Sequence, residues 1–232
     1  MFQRWQNLTF LHWRYEPEMI QRLLPPGLAL DTFDGSAWVG LTPFLLYDLR
    51  APFTPAVPWI SRFPETNVRT YVKGPDGERG VWFFTLEADR FVAVLAARAL
   101  YRLPYRWAAM RVWQRNGQVM EYRSRRKRPF GRAQTDITIV RDERIASGPF
   151  DNFLTARYRL YTTFGHQIAF ADIEHPPWSL HKGTVLRLEQ NLVESSGVPP
   201  PEGEPTVHFS SDLAVRIGSL RLFGGRPVRI AR

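Results

Sequence analysis

The chain has 232 residues, 31 Lys and Arg against 22 Asp and Glu for a net charge of +9, 44% hydrophobic and 14% aromatic residues, and no cysteine. That composition supplies a packed core and excludes global disorder, disulfides, thiolate metal sites and cysteine nucleophiles together. The longest apolar run, Phe91 to Ala97, is too short to cross a bilayer, and the N-terminal M-F-Q-R-W-Q-N-L-T-F lacks the layout of a secretory signal. A cytoplasmic protein with no membrane partner is therefore expected, folding as one domain over residues 1–232. Only Lys73, Lys127 and Lys182 are lysines, so the positive charge is almost all arginine, which points no more to a polyanion partner than to a codon or temperature preference.

Glu16 to Leu24 reads as a short helix with Pro17 in its first turn, where a missing N–H costs nothing, and Pro25-Pro26-Gly27 ends it. Leu28 to Leu46 predicts a hairpin turning at Asp34-Gly35, and the proline-rich Arg50 to Arg62 predicts a loop. Phe63 to Val72, F-P-E-T-N-V-R-T-Y-V, predicts a strand. Side chains alternate across a sheet, so Glu65, Asn67, Arg69 and Tyr71 share one face and Thr66, Val68, Thr70 and Val72 the other. A carboxylate, an amide, a guanidinium and a phenol in one row line either a polar pocket or a solvated outer face. The turn K-G-P-D-G-E-R-G then leads to a second strand, Val81 to Asp89, as an antiparallel hairpin.

Phe91 to Tyr101 is apolar all round and reads as a buried helix stopped before Pro104, with Arg98 as its one charge. Such an arginine needs Glu65, Glu87 or a ligand anion as acceptor, or else reaches solvent along its aliphatic stem. Asn116-Gly117 joins strands Ala108–Arg115 and Gln118–Ser124. Six cations follow, from Arg123 to Arg132, without a nucleic-acid motif, so they read as a solvated arm ahead of a nucleic-acid site. Gln134 to Arg141 is a further strand, and Phe150 to Thr162 predicts a helix capped by Ser147 or Asp151. Two prolines then fix a turn presenting His175 and Trp178, Glu189 to Val193 reads as a strand, Val207 to Phe223 as one or two more, and the tail from Gly224 as loose.

No dinucleotide fingerprint, phosphate loop, nucleophile elbow or zincin motif occurs. The five histidines are scattered, and only His175 and His181 fall close together, so neither a metal site nor a bound cofactor is expected.

Five strings, L-L-P-P-G-L-A-L-D-T-F-D-G-S-A-W-V-G-L-T-P-F, F-P-E-T-N-V-R-T-Y-V, A-A-R-A-L-Y-R-L-P-Y, F-L-T-A-R-Y-R-L-Y-T and H-P-P-W-S-L, run in this order up to Leu180. Together they resemble the uncharacterised YqjF-like family, which is itself similar, more distantly, to acetoacetate decarboxylase. The resemblance implies an α+β, β-dominated fold: a conical antiparallel barrel with two or three flanking helices around a ligand-sized cavity. It moves the polar face of the Phe63–Val72 strand indoors, with Glu65 or Asn67 falling near the decarboxylase's cavity glutamate, depending on how the prolines are aligned. It also implies a homo-oligomer. Where the decarboxylase carries adjacent lysines after a proline, this chain has Leu103-Pro104-Tyr105-Arg106. An arginine stays protonated and cannot form an imine, so the fold carries over and the reaction does not. The expected site comprises Glu65 as acid/base group, Arg69 and Arg98 as anion clamps, and Asn67, Tyr71, Tyr105, Arg106 and Trp178 as ligand-binding wall. The alternative is a protein that binds a polyanion or another protein through the 123–132 arm.

Overall fold

The computed structural model describes residues 1–223; the tail expected to be loose lies outside the described residues. In chain order the elements are β1 (Phe2–Tyr15), α1 (Pro17–Gln21), β2 (Ala29–Leu30), β3 (Ala37–Arg50), β4 (Phe63–Lys73), β5 (Arg79–Ala88), α2 (Phe91–Tyr101), β6 (Tyr105–Arg115), β7 (Val119–Arg126) and β8 (Gln134–Arg144). There follow α3 (Pro149–Thr155), β9 (Arg159–Phe164), β10 (Gln167–Glu174), β11 (Leu180–Gln190), α4 (Leu192–Ser195), β12 (Thr206–Ile217) and β13 (Arg221–Leu222).

The thirteen strands form one sheet in the order β13-β10-β9-β5-β6-β7-β8-β11-β12-β1-β3-β4-β2. Two further pairings, β4 with β5 and β10 with β12, close it on itself as rings of strands. Closure removes most of the unpaired edge that an open sheet presents. The pairing is antiparallel except where β5 lies parallel to β6 and to β9. Parallel neighbours need a crossover, and α2 supplies it between β5 and β6, packing against both strands with most of its surface in solvent.

That position corrects the reading of α2. Its sequence is apolar all round, yet Val94 alone is buried, and Val92 and Leu95 are at least half exposed. The predicted hairpin at Asp34-Gly35 survives only as a tight turn with one bridge, Phe33 to Ser36. β2 pairs instead with the end of β4, through Leu30 and Val72. The helix expected over Phe150–Thr162 stops at Thr155, because Arg159-Leu-Tyr-Thr-Thr-Phe164, which carries two aromatic and two β-branched residues, pairs with β10. The strand expected at Glu189–Val193 splits between the end of β11 and the single turn α4. The Asn116-Gly117 hairpin stands as read, both residues taking the positive φ that such a turn requires.

Candidate functional site

β4 is buried on both faces, so its polar row cannot reach solvent. Glu65, Asn67 and Arg69 face a pocket of about 70 Å³ between β4, its neighbours β3 and β5, and α2. Their cross-strand partners on β3 are Phe44, Thr42 and Gly40. The apolar wall comes from Val81, Phe83 and Leu86 on β5 with Leu103, Leu160, Ile173 and Ile217; Ala97 and Tyr101 of α2 close one side. Alternation on β5 jumps from Phe83 to Leu86 because of the bulge where Val68 faces Thr85 and Arg69 faces Phe83. A second irregularity, around Asn7 of β1, turns Gln3 and Trp5 toward the pocket before Leu8 and brings His12 onto the same face.

Glu65 is 4% exposed and accepts a hydrogen bond of 2.9 Å from the Tyr105 hydroxyl. Burial raises its pKa to about 8, against the opposing pull of Tyr105 and the Asn67 amide, so the carboxyl is protonated at neutral pH. Burial, and then the Glu65 carboxylate, hold the Tyr105 phenol well above its ordinary range.

Arg69 is 7% exposed. Its guanidinium stacks over Phe10 at 5.1 Å and donates to the Leu154 carbonyl at 3.4 Å, while Nε has no partner in the protein. Among the described residues it meets no carboxylate in a salt bridge. Arg157, equally buried, forms an ion pair with Asp31 at 3.1 Å and lies over the Phe153 and Tyr71 rings. Burial lowers its pKa. Trp5 Nε1, Thr42 Oγ1, Asn67 Oδ1 and Arg157 Nε, all on pocket-lining residues, are likewise buried and unpartnered. Five buried polar atoms without a protein partner thus gather around one pocket, whereas such groups in folded proteins nearly all find a partner in protein or ordered water.

Tyr71 sits behind Arg69 and does not line the pocket. Its hydroxyl donates to the Leu154 carbonyl and therefore accepts from His12 Nε2, leaving His12 Nδ1 unpartnered. Burial, reinforced by Arg69, holds His12 well below its usual pKa, so the ring is neutral. Gly40 is needed here: a Cβ on it would meet His12 Nε2 at 2.8 Å. Trp178 lines the pocket, with its indole N–H on the Thr155 carbonyl at 2.9 Å and its ring stacked on Trp5.

The structure thus brings together Glu65, Asn67, Arg69, Tyr105 and Trp178, with Tyr71 directly behind them. Two expected residues stand apart. Arg98 lies on the exposed side of α2, donating to the Tyr105 carbonyl at 3.0 Å, so it takes the reading in which it reaches solvent. Arg106 follows Tyr105 on β6 and so points to the opposite face, toward Phe130. Trp5, Thr42 and Arg157 were missed as site residues. Alternation around Tyr105 is a usable signal for excluding Arg106; nothing local marks Arg157, which the sequence pattern places in a helix that in the structure ends before it. No lysine lines the pocket: Lys73 pairs with Asp31, Lys182 with Glu143, and Lys127 lies over Trp107. In the basic arm, Arg123 pairs with Asp136 and Arg126 with the buried Glu87.

The model of DUF2071, a family of uncharacterized conserved proteins, matches residues 2–214. Over 228 residues the chain is 36% identical to the uncharacterized protein YqjF of Bacillus subtilis strain 168, covering 95% of this chain and 91% of that protein. Solved structures of similar fold include the following three. An acetoacetate decarboxylase-like enzyme from Sphingomonas wittichii RW1 has a TM-score of 0.67 at 13% identity, covering 95% of this chain and 91% of that one. The acetoacetate decarboxylase of Legionella pneumophila gives 0.65 at 14% identity, with 96% and 88% covered. The enduracididine biosynthesis enzyme MppR complexed with pyruvate gives 0.66 at 13% identity, with 95% and 89% covered. At such identities the likeness is one of fold. On the match over residues 2–214 and the kinship with YqjF, the chain belongs to the DUF2071 family.

Proposed function

We propose that the pocket binds a small carboxylate or carbonyl compound as an anion, held by Arg69 and Arg157, with Glu65 and Tyr105 as the adjoining acid/base pair, and that any reaction there proceeds without a lysine imine. The observation that carries this reading is Arg69. A buried guanidinium with no carboxylate partner is expensive, by several kcal/mol after relaxation. Glu65 on the same face does not offset that cost, because it is protonated at neutral pH. A bound anion does. The relatives of similar fold support the reading by kind, since one of them is a pyruvate complex and others are decarboxylase-like enzymes.

The roles follow from the environment of each group. Arg69 and Arg157 neutralise the ligand's carboxylate in a site where apolar walls strengthen the attraction. Glu65, poised near neutrality and fixed by Tyr105, passes a proton to or from the ligand. Trp5 and Trp178 form the aromatic side of the pocket.

Calorimetric titration with acetate and propanoate tests the reading. Binding is expected at pH 6.5, to weaken above about pH 8 as Glu65 ionises and repels the anion, and to disappear in Arg69→Met. The melting temperature of ligand-free Arg69→Met is expected to equal or exceed that of the parent, because an unpaired buried charge has been removed. Undiminished binding by Arg69→Met defeats the proposal.

A further inference from the structure

Resting on that reading, we infer that the ligand is two-ended: a monocarboxylate carrying a ketone or other hydrogen-bond-accepting oxygen three to four carbons from the carboxyl, the carboxylate seated at Arg69 and the acceptor at Glu65. The spacing of β4 carries the argument. Glu65 and Arg69 are four residues apart on one face of a strand, which places their Cα atoms roughly 13 Å apart. Between them stands Asn67, opposite Thr42, so the intervening wall is polar and uncharged, and the second cation of the pocket, Arg157, lies over the Tyr71 ring at the Arg69 end. The Arg69 guanidinium lies between the Phe10 ring at 5.1 Å and the Tyr71 ring at 5.8 Å, near the level of its own Cα. A hydrogen bond takes about 3 Å at each end, which leaves roughly 7 Å for the ligand itself. An acetate or a 2-oxo acid on Arg69 is too short to touch Glu65; a 4-oxo or 5-oxo acid is long enough. About 70 Å³ holds some five water-sized positions, which limits the ligand to a small molecule.

The chemistry of the far end follows from the Glu65 partner. Tyr105 donates to Oε2, so a proton carried by Glu65 sits on Oε1, and the group presented to a ligand is an O–H donor. It asks for an acceptor, which selects a carbonyl over an ammonium group. The raised pKa of Glu65 agrees with this. A site built around a buried donor discriminates strongly against an analogue lacking the acceptor, because the donor is then stranded.

The test is a calorimetric comparison on the full chain at pH 7, pairing each oxo acid with its plain counterpart: 3-oxobutanoate with butanoate, 4-oxopentanoate with pentanoate, and 5-oxohexanoate with hexanoate. We expect the oxo group to improve affinity tenfold or more for the 4-oxo or 5-oxo acid and by less than threefold for 3-oxobutanoate. Glu65→Ala should bring the favourable ratio to about one, and Glu65→Gln, which still donates and preserves the packing, should retain it. An oxo group without effect at every length overturns the inference while leaving anion binding standing, as does tighter binding of 5-aminopentanoate than of 5-oxohexanoate, which would mean that Glu65 is ionised. If none of the carboxylates binds, the underlying reading fails and this inference with it.

Discussion

Glu65 and His12 titrate abnormally for the same reason, burial, and pull the stability of the molecule in opposite directions. A carboxyl raised to about 8 in the fold, from 4.5 in the open chain, binds more protons folded than unfolded between those values. Its contribution is therefore complete below about pH 4.5 and is lost as the pH rises through 8. His12, lowered below 6.5, behaves the other way: the open chain binds the extra proton, so stability falls as the pH drops below 6.5. Glu65→Gln is predicted to remove the alkaline loss, so that urea unfolding at pH 9 favours the variant over the parent by on the order of a few kcal/mol, with a smaller difference or none at pH 5. An equal effect at both pH values would mean that Glu65 is ionised in the fold throughout. At this scale much of the site was legible, because strict alternation along Phe63–Val72 put Glu65, Asn67 and Arg69 on one face. Alternation could not say that the face was indoors; that step came from the family resemblance. Arg157 escaped notice because its position depends on where α3 stops, which is decided by pairing with β10 and not by local pattern.

Among the elements, the long pairings were hidden where a strand changes face partway. β1 shows no single period, because the irregularity at Asn7 shifts its pocket-facing positions from Gln3 and Trp5 to Leu8, and every residue from Leu8 to Trp13 is buried on either face. The sequence pattern of α2 marks a helix but not its depth. An apolar segment reads as buried, yet a crossover helix packs by one side on a face of the sheet and leaves its other side to solvent. Sparse packing has a consequence that can be measured. Few buried contacts hold α2, so its amides are predicted to exchange with solvent faster than those of β4 and β5 by at least two orders of magnitude. Exchange followed by mass spectrometry over Phe91–Tyr101 checks this, and protection equal to that of the central strands would show that something covers the helix in solution.

At the scale of the whole molecule, the chain has the β-dominated fold of its decarboxylase-like neighbours, with four helices and closed rings of strands among the described residues. Composition and periodicity reached a strand-rich architecture, but the closure of the sheet depends on β4–β5 and β10–β12 contacts that no local signal encodes, and only the motif resemblance implied it. The fold came without the lysine on which imine chemistry depends. Incubation with acetoacetate and borohydride is accordingly predicted to leave the mass of the protein unchanged; stoichiometric labelling of Lys73, Lys127 or Lys182, abolished with carbon dioxide release on replacing that lysine, would refute this.

The central claim, that the pocket exists to hold an anion on Arg69, is tested most directly by soaking crystals of the protein in bromide and locating the ion by its anomalous signal. The account predicts a peak within about 3.5 Å of the Arg69 guanidinium, lost in Arg69→Met. Bromide found only on the exposed surface arginines, with none in the pocket, would contradict it.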